Sequence, residues 1–136
     1  MPRLRNDWLA KHLQTLLQAS TGLDALAIIS LDGIEIASAL PQGVNAGRLS
    51  AMALAAFTLS EQIATELKRH KLEEVYIRGK QGFIVVIPLD KQAILVAMAR
   101  ENARLGLVLL ELHRTAKNLL KIKKEGQAQS SASKFQ

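Results

Sequence analysis

The chain contains no cysteine. A disulfide framework, a thiolate nucleophile and a cysteine metal site are therefore excluded. The absence fits a reducing compartment, and a cytoplasmic location is expected. Aromatic residues are scarce, with one tryptophan, one tyrosine and three phenylalanines. So few rings give little on which to stack bases, and no nucleic-acid partner is expected. No apolar run approaches the roughly 18 residues that a membrane span requires, so stable membrane insertion is not expected. Residues Met1 to Trp8 carry two arginines and no apolar segment, unlike a signal peptide.

Catalytic patterns are missing as well. His12, His70 and His113 fall on predicted helices, none with a second histidine three or four positions away, so no metal cluster is expected. Glu73 and Glu74 are adjacent, and adjacent strand residues point to opposite faces, which prevents shared acid–base work. Ser50 and Ser60 lie inside a predicted helix, away from any nucleophile elbow. There is no phosphate-loop motif and no dinucleotide fingerprint. Neither a catalytic residue nor a cofactor is predicted. Gly79-Lys80-Gln81-Gly82 has the letters of a nucleic-acid-clamping loop, but strands flank it, and a hairpin turn is the better reading.

What is present is a chain of 136 residues, 49% hydrophobic, enough for one domain with its own core. Its formal net charge is +6. The excess sits at Arg3 and Arg5, at the end of the middle helix (Lys68, Arg69, Lys71), and at Lys117, Lys121, Lys123 and Lys124. At the end of the middle helix cations oppose the dipole favourably, and solvated helix ends account for most of the excess. Lys117, Lys121 and Lys124 share a helical face. A solvated helix end is the plain reading. A secondary contact for an acidic partner or an anionic membrane surface is the sharper one.

A first helix is predicted from Asn6 or Asp7, with Leu9, Leu13, Leu16 and Leu17 as its stripe, Trp8 as a packing anchor and Gly22 as its stop. Ala25 to Ser30 reads as a strand that is apolar on both sides. Asp32-Gly33 is a hairpin signal, and Ile34 to Ala37 alternates. A middle helix is predicted from Asn45 to His70. Turning 100° per residue, it places Leu49, Met52, Ala53, Ala56, Leu59, Ser60, Ile63 and Leu67 on one face, expected to pack on a sheet. The far side begins with Gly47, Ala51, Leu54 and Thr58, with Ala55 beside them, and continues with Glu61, Gln62, Thr65 and Arg69. Small residues there permit close approach of a partner helix. Three strands follow, at residues 74–78, 83–87 and 93–98. The last helix begins near Asn102 or Ala103. Its stripe is Leu105, Val108, Leu109, Leu112, Ala116, Leu119 and Leu120. Residues 1–125 are expected to form one domain, and 126–136 a disordered, low-complexity tail.

Strands covered on both faces read as continuous apolar runs, while less buried ones alternate. That places strands two and three at the edges. With hairpins joining one to two, three to four and four to five, the order is 2-1-5-4-3. The sheet should be largely antiparallel, the one-to-five pairing being left unoriented by pattern. The fold class is α+β, with the middle helix on one face and the two terminal helices on the other. Val75, Tyr76 and Ile77 then form an uncovered edge, an aggregation liability unless paired.

Three stretches resemble a known family over residues 23–124: Leu31-Asp32-Gly33 between two strands; Ala51-Met52-Ala53-Leu54-Ala55-Ala56 in the middle helix; and Ala103-Arg104-Leu105-Gly106-Leu107 with Leu110-Glu111-Leu112 at the last. The pattern is similar to the roadblock / dynein-light-chain family, and in particular to its MglB-like regulators of small GTPases. The resemblance implies the same strand order, with a profilin-like topology. It implies a homodimer, or a heterodimer with a paralogue, built on the middle helix and third strand through Ala51, Leu54, Ala55, Thr58, Glu74, Val75, Tyr76 and Ile77. It further implies a Ras-like small GTPase as partner, gripped by Gly47, Ala51, Leu54, Ala55, Thr58 and Gln62, without a catalytic residue from this chain. A dimeric scaffold without effect on GTP hydrolysis is the alternative. A small-ligand sensor is a third class, against which the crowded aliphatic strands argue.

Overall fold

The computed structural model describes the backbone of residues 2–20 and 22–134 and the side chains of residues 7–20 and 22–122. In chain order the elements are α1 (Pro2–Ala19), β1 (Leu23–Ser30), β2 (Glu35–Ala39), α2 (Ala46–Glu66), β3 (Val75–Gly79), β4 (Gly82–Pro88), β5 (Ala93–Arg100) and α3 (Leu105–Lys134). The five strands form one sheet in the order β2-β1-β5-β4-β3. Every neighbouring pair is antiparallel, including β1 with β5, the pairing that sequence pattern left open.

The continuous apolar runs are explained by two cores. Leu26 and Ile28 of β1, Val85 and Ile87 of β4, and Leu95 and Ala97 of β5 face α1 and α3. Their alternating neighbours Ala27, Ile29, Val86, Ile94 and Val96 face α2. Side chains of successive strand residues point to opposite faces, so a central strand buried on both must be apolar throughout. Leu13 of α1 and Val108, Leu112, Ala116 and Leu119 of α3 close the first core, in line with the stripes expected for those helices.

Several boundaries differ from the sequence expectation. Helix α1 starts at Pro2, because proline's fixed φ suits the first helical turn and its missing N–H is not needed there. It ends at Ala19, before Gly22. Ser20 takes over the termination: its N–H donates to Leu17 O, and its Oγ accepts from the N–H groups of Gly22 and Leu23 at 3.3 and 3.2 Å. Gly22 serves a close approach instead, since a Cβ there would lie 3.1 Å from Ala103 Cβ. Trp8 is not a packing anchor. It is 52% exposed and stacks on the His12 ring. Helix α3 starts at Leu105 and continues through Gly126 to Lys134, over the stretch whose composition suggests disorder. The side chains there, Lys124 included, lie outside the described residues.

The turns follow local chemistry. Gly33 adopts φ +86° in the β1–β2 turn, where Gly33 N–H donates to Ser30 O and Ser30 N–H to Ile34 O. Lys80 and Gln81 alone connect β3 to β4, so the Gly79–Gly82 segment is a tight hairpin and not a nucleic-acid loop. Asn45 caps α2, its Oδ1 accepting the Arg48 N–H at 2.9 Å.

Candidate protein-docking surface

Helix α2 presents two apolar stripes, and the structure buries the smaller one. Ser50, Ala53 and Phe57 are its buried residues. Phe57 and Ala53 pack with Ala27, Ile29, Val86, Ile94 and Val96 of the sheet. The Ser50 hydroxyl is satisfied by donating to Ala46 O at 2.7 Å. This orientation corrects the wheel derived from sequence. Met52, Leu59, Ile63 and Leu67 were expected against the sheet, yet each is half exposed or more. With half-buried Ala56 they follow each other at three- and four-residue steps, the spacing of a stripe that meets another surface.

Leu54 is also displaced from its expected role. It is half-buried, with Cδ2 3.6 Å from the position a Gly33 Cβ would take, and so covers the β1–β2 turn. That contact fixes which flank of α2 faces the β2 side of the sheet. The opposite flank, carrying Met52, Leu59, Ile63 and Leu67, therefore leans toward β3, and α2 does contact β3. Gly47, Ala51, Ala55, Thr58 and Gln62 are exposed on the outer side of α2.

Strand β3 continues this surface. It hydrogen-bonds to β4 on one side, and among the described residues no strand lies on the other. Val75 opposes Val86 and Ile77 opposes Ile84, which places both on the α2 face. Val75 is half-buried and Ile77 is 45% exposed. Tyr76 points to the other face, edge-on to Phe83 at 5.4 Å between ring centres, and its hydroxyl accepts from Arg78 Nη1 at 3.0 Å. Glu74, just before the strand, lies 3.5 Å from His113 Nε2 of α3. Of eleven exposed large hydrophobic side chains among the described residues, six belong to α2, its C-cap Leu67 or β3. Such a concentration around an open strand edge marks an interaction surface, where scattered apolar residues would not.

No group of three or more His, Asp or Glu suited to a metal occurs among the described residues. A solvent-open cleft of about 760 Å³ separates the C-terminal half of α2 from the β4–β5 turn, lined in part by Phe57, Glu61, His70 and Asp90. No helix among the described residues is long and apolar enough to cross a membrane.

Comparison with known proteins gives the same architecture. Residues 9–99 match the Roadblock/LC7 domain. An uncharacterized protein of Methanocaldococcus jannaschii is 32% identical over 103 residues, covering 76% of this chain and 90% of the relative. Among solved structures, Myxococcus xanthus MglB superposes with a TM-score of 0.77 at 16% identity, covering 86% of this chain and 88% of that one. A Roadblock/LC7 domain from Streptomyces avermitilis gives 0.76 at 16% identity, covering 87% and 97%. Schizosaccharomyces pombe profilin gives 0.61 at 17% identity, covering 83% and 97%, so the topology is also profilin-like.

Proposed function

Because the chain belongs to the Roadblock/LC7 family, we propose that it is a dimeric cytoplasmic regulator that binds a Ras-like small GTPase and modulates its nucleotide state without catalytic residues of its own. The observation that carries this reading is the exposed stripe Met52, Leu59, Ile63 and Leu67 beside the open β3 edge. Two copies related by a two-fold axis can pair β3 with β3, which satisfies the free backbone groups and makes one continuous sheet. The same operation brings the two apolar flanks of α2 together. The outer side of α2, with Ala51, Ala55 and Thr58 and with Gln62 beside them, then forms a platform of mostly small side chains, suited to close contact with a partner's backbone. Such a platform acts by selecting a hydrolysis-competent conformation of the GTPase switches, which needs only differential affinity for that state.

The absence of cysteine makes the dimer simple to test. Ile77 stands at the middle of β3, where a two-fold axis brings the strand against itself. Ile77→Cys should form a disulfide-linked dimer under mild oxidation, and Leu107→Cys on α3 should not. Binding is then measured with Ras-like GTPases of the source cell, loaded with a non-hydrolysable GTP analogue or with GDP. Ala55→Arg and Thr58→Arg should remain folded dimers and lose binding, most clearly to the GTP form. Undiminished binding by such dimers would remove the platform from α2. A dimer that binds no GTPase in either state would leave the scaffold reading.

A further inference from the structure

We propose that the outer surface of the α1–α3 layer docks on an anionic lipid membrane. This face lies across the sheet from α2, and the proposal does not depend on a GTPase. Helix α3 buries Val108, Leu112, Thr115, Ala116 and Leu119. On the opposite side it exposes Leu107 and Leu110, followed by Arg114, Lys117 and Lys121. Helix α1 buries Leu13 and presents Trp8 and Lys11 outward.

The charges on this face are unbalanced. Lys11, Arg114, Lys117 and Lys121 form no ion pair among the described residues. Only two carboxylates belong to the described parts of α1 and α3. Asp7 is exposed, while Glu111 is half-buried and accepts from Ser20 Oγ at 2.7 Å. The surface thus offers a tryptophan, two leucines and free cations with little opposing charge.

That combination matches a lipid interface better than an acidic protein. The apolar side chains are spread over two helices, and the cavity that Leu107 borders, beside Ala103 and Glu111, is small, about 210 Å³. At a bilayer surface, indole and leucine side chains enter the interfacial zone while cations reach the headgroup phosphates. Each such cation changes binding by about fivefold, so attachment is reversible and salt-sensitive.

The test uses the full chain with two vesicle types, phosphatidylcholine alone and phosphatidylcholine mixed with phosphatidylserine. Trp8, the single tryptophan, reports directly by its emission. The chain should sediment with the anionic vesicles only, with a blue shift of Trp8 emission, and should be released by salt. The double substitution Lys117→Glu and Lys121→Glu should weaken binding about tenfold or more with an unchanged melting curve. A second variant, Leu107→Ser with Leu110→Ser, should bind more weakly while keeping its salt dependence. Equal sedimentation with both vesicle types, or with neither, would overturn the proposal. So would binding to soluble polyglutamate as tight as to anionic vesicles with Trp8 emission unshifted, which would assign the face to an acidic protein.

Discussion

Lys68 and Gly82 both adopt positive φ, +56° and +144°, for opposite reasons. Lys68 ends α2. Its N–H donates to Thr65 O, and the Arg69 N–H reaches back to Ala64 O, the paired bonds of a Schellman motif. The position after such a cap favours glycine, since a left-handed residue with a Cβ costs about 1–2 kcal/mol. Lys68→Gly relieves that strain but adds freedom to the unfolded chain, worth about 0.4–1 kcal/mol. The net expectation is a gain of roughly 0.5–1 kcal/mol in chemical denaturation, with unchanged spectra. At Gly82 the relation reverses. A Cβ there collides with the Ala99 carbonyl oxygen of β5, which is sheet backbone and cannot yield. Gly82→Ala should therefore destabilise by about 3 kcal/mol or more, and it should loosen the β3–β4 hairpin first. Hydrogen exchange at the amides of Ile77 and Ile84 measures that loosening. Turn glycines such as Gly33 were legible in sequence because their chemistry is local, and the start of α2 was placed at Asn45, which the structure shows to be its cap. The end of α2 was not. Nothing in Thr65–His70 is a breaker, so propensity carries the helix on to His70, while the structure stops it at Glu66.

The elements show what periodicity determines and what it leaves open. The long run of helical spacing in α2 was plain, as were the strands with their continuous or alternating character. The rotation of α2 was not, because two apolar stripes compete. The larger one, through Met52, Leu59, Ile63 and Leu67, dominates any wheel, yet it is exposed. Hydrophobic spacing reports that a face will be covered and is silent on whether the cover is the chain's own sheet or another surface. Phe57 held the missing clue. A phenylalanine is the largest apolar side chain on this helix, and it lies buried among Ala27, Ile29 and Val96. Two substitutions separate the stripes. Phe57→Ala should cost about 3–5 kcal/mol of folding stability through transfer and cavity terms. Leu59→Ser should leave the unfolding free energy of an isolated chain nearly unchanged, within about 0.5 kcal/mol, as expected of a surface position. In gel filtration it should instead shift the population from dimer toward single chains. If Leu59→Ser unfolds the protein and Phe57→Ala does not, α2 is rotated as the sequence wheel has it.

For the whole molecule, the strand order follows from two rules: hairpins pair neighbours, and double-faced strands sit centrally. It left the two edges unequal in a way that only coordinates display. Helix α1 packs on β2, while among the described residues no strand lies on the outer side of β3. Exposure rises along β3, from half-buried Val75 to exposed Tyr76 and Ile77. A chain with one apolar edge at β3, and a helix packed against the strand at the other edge, can close a two-fold pair and stop there. A chain with two open edges would extend into fibres. Folding should accordingly be linked to association, because a dimer is favoured by mass action. Each tenfold rise in protein concentration adds about 1.4 kcal/mol to the dimer. For a dimer of two chains of this size that raises the melting temperature by roughly 2–3 °C per tenfold. Calorimetry across two decades of concentration measures the slope directly. Ile77→Lys places a charge at the centre of the proposed strand pair without emptying either core, so it should flatten the slope while the fold persists. A wild-type melting temperature independent of concentration, in a sample whose scattering mass is that of one chain, would mean that β3 and the outer stripe of α2 await a different protein and not a second copy of this one.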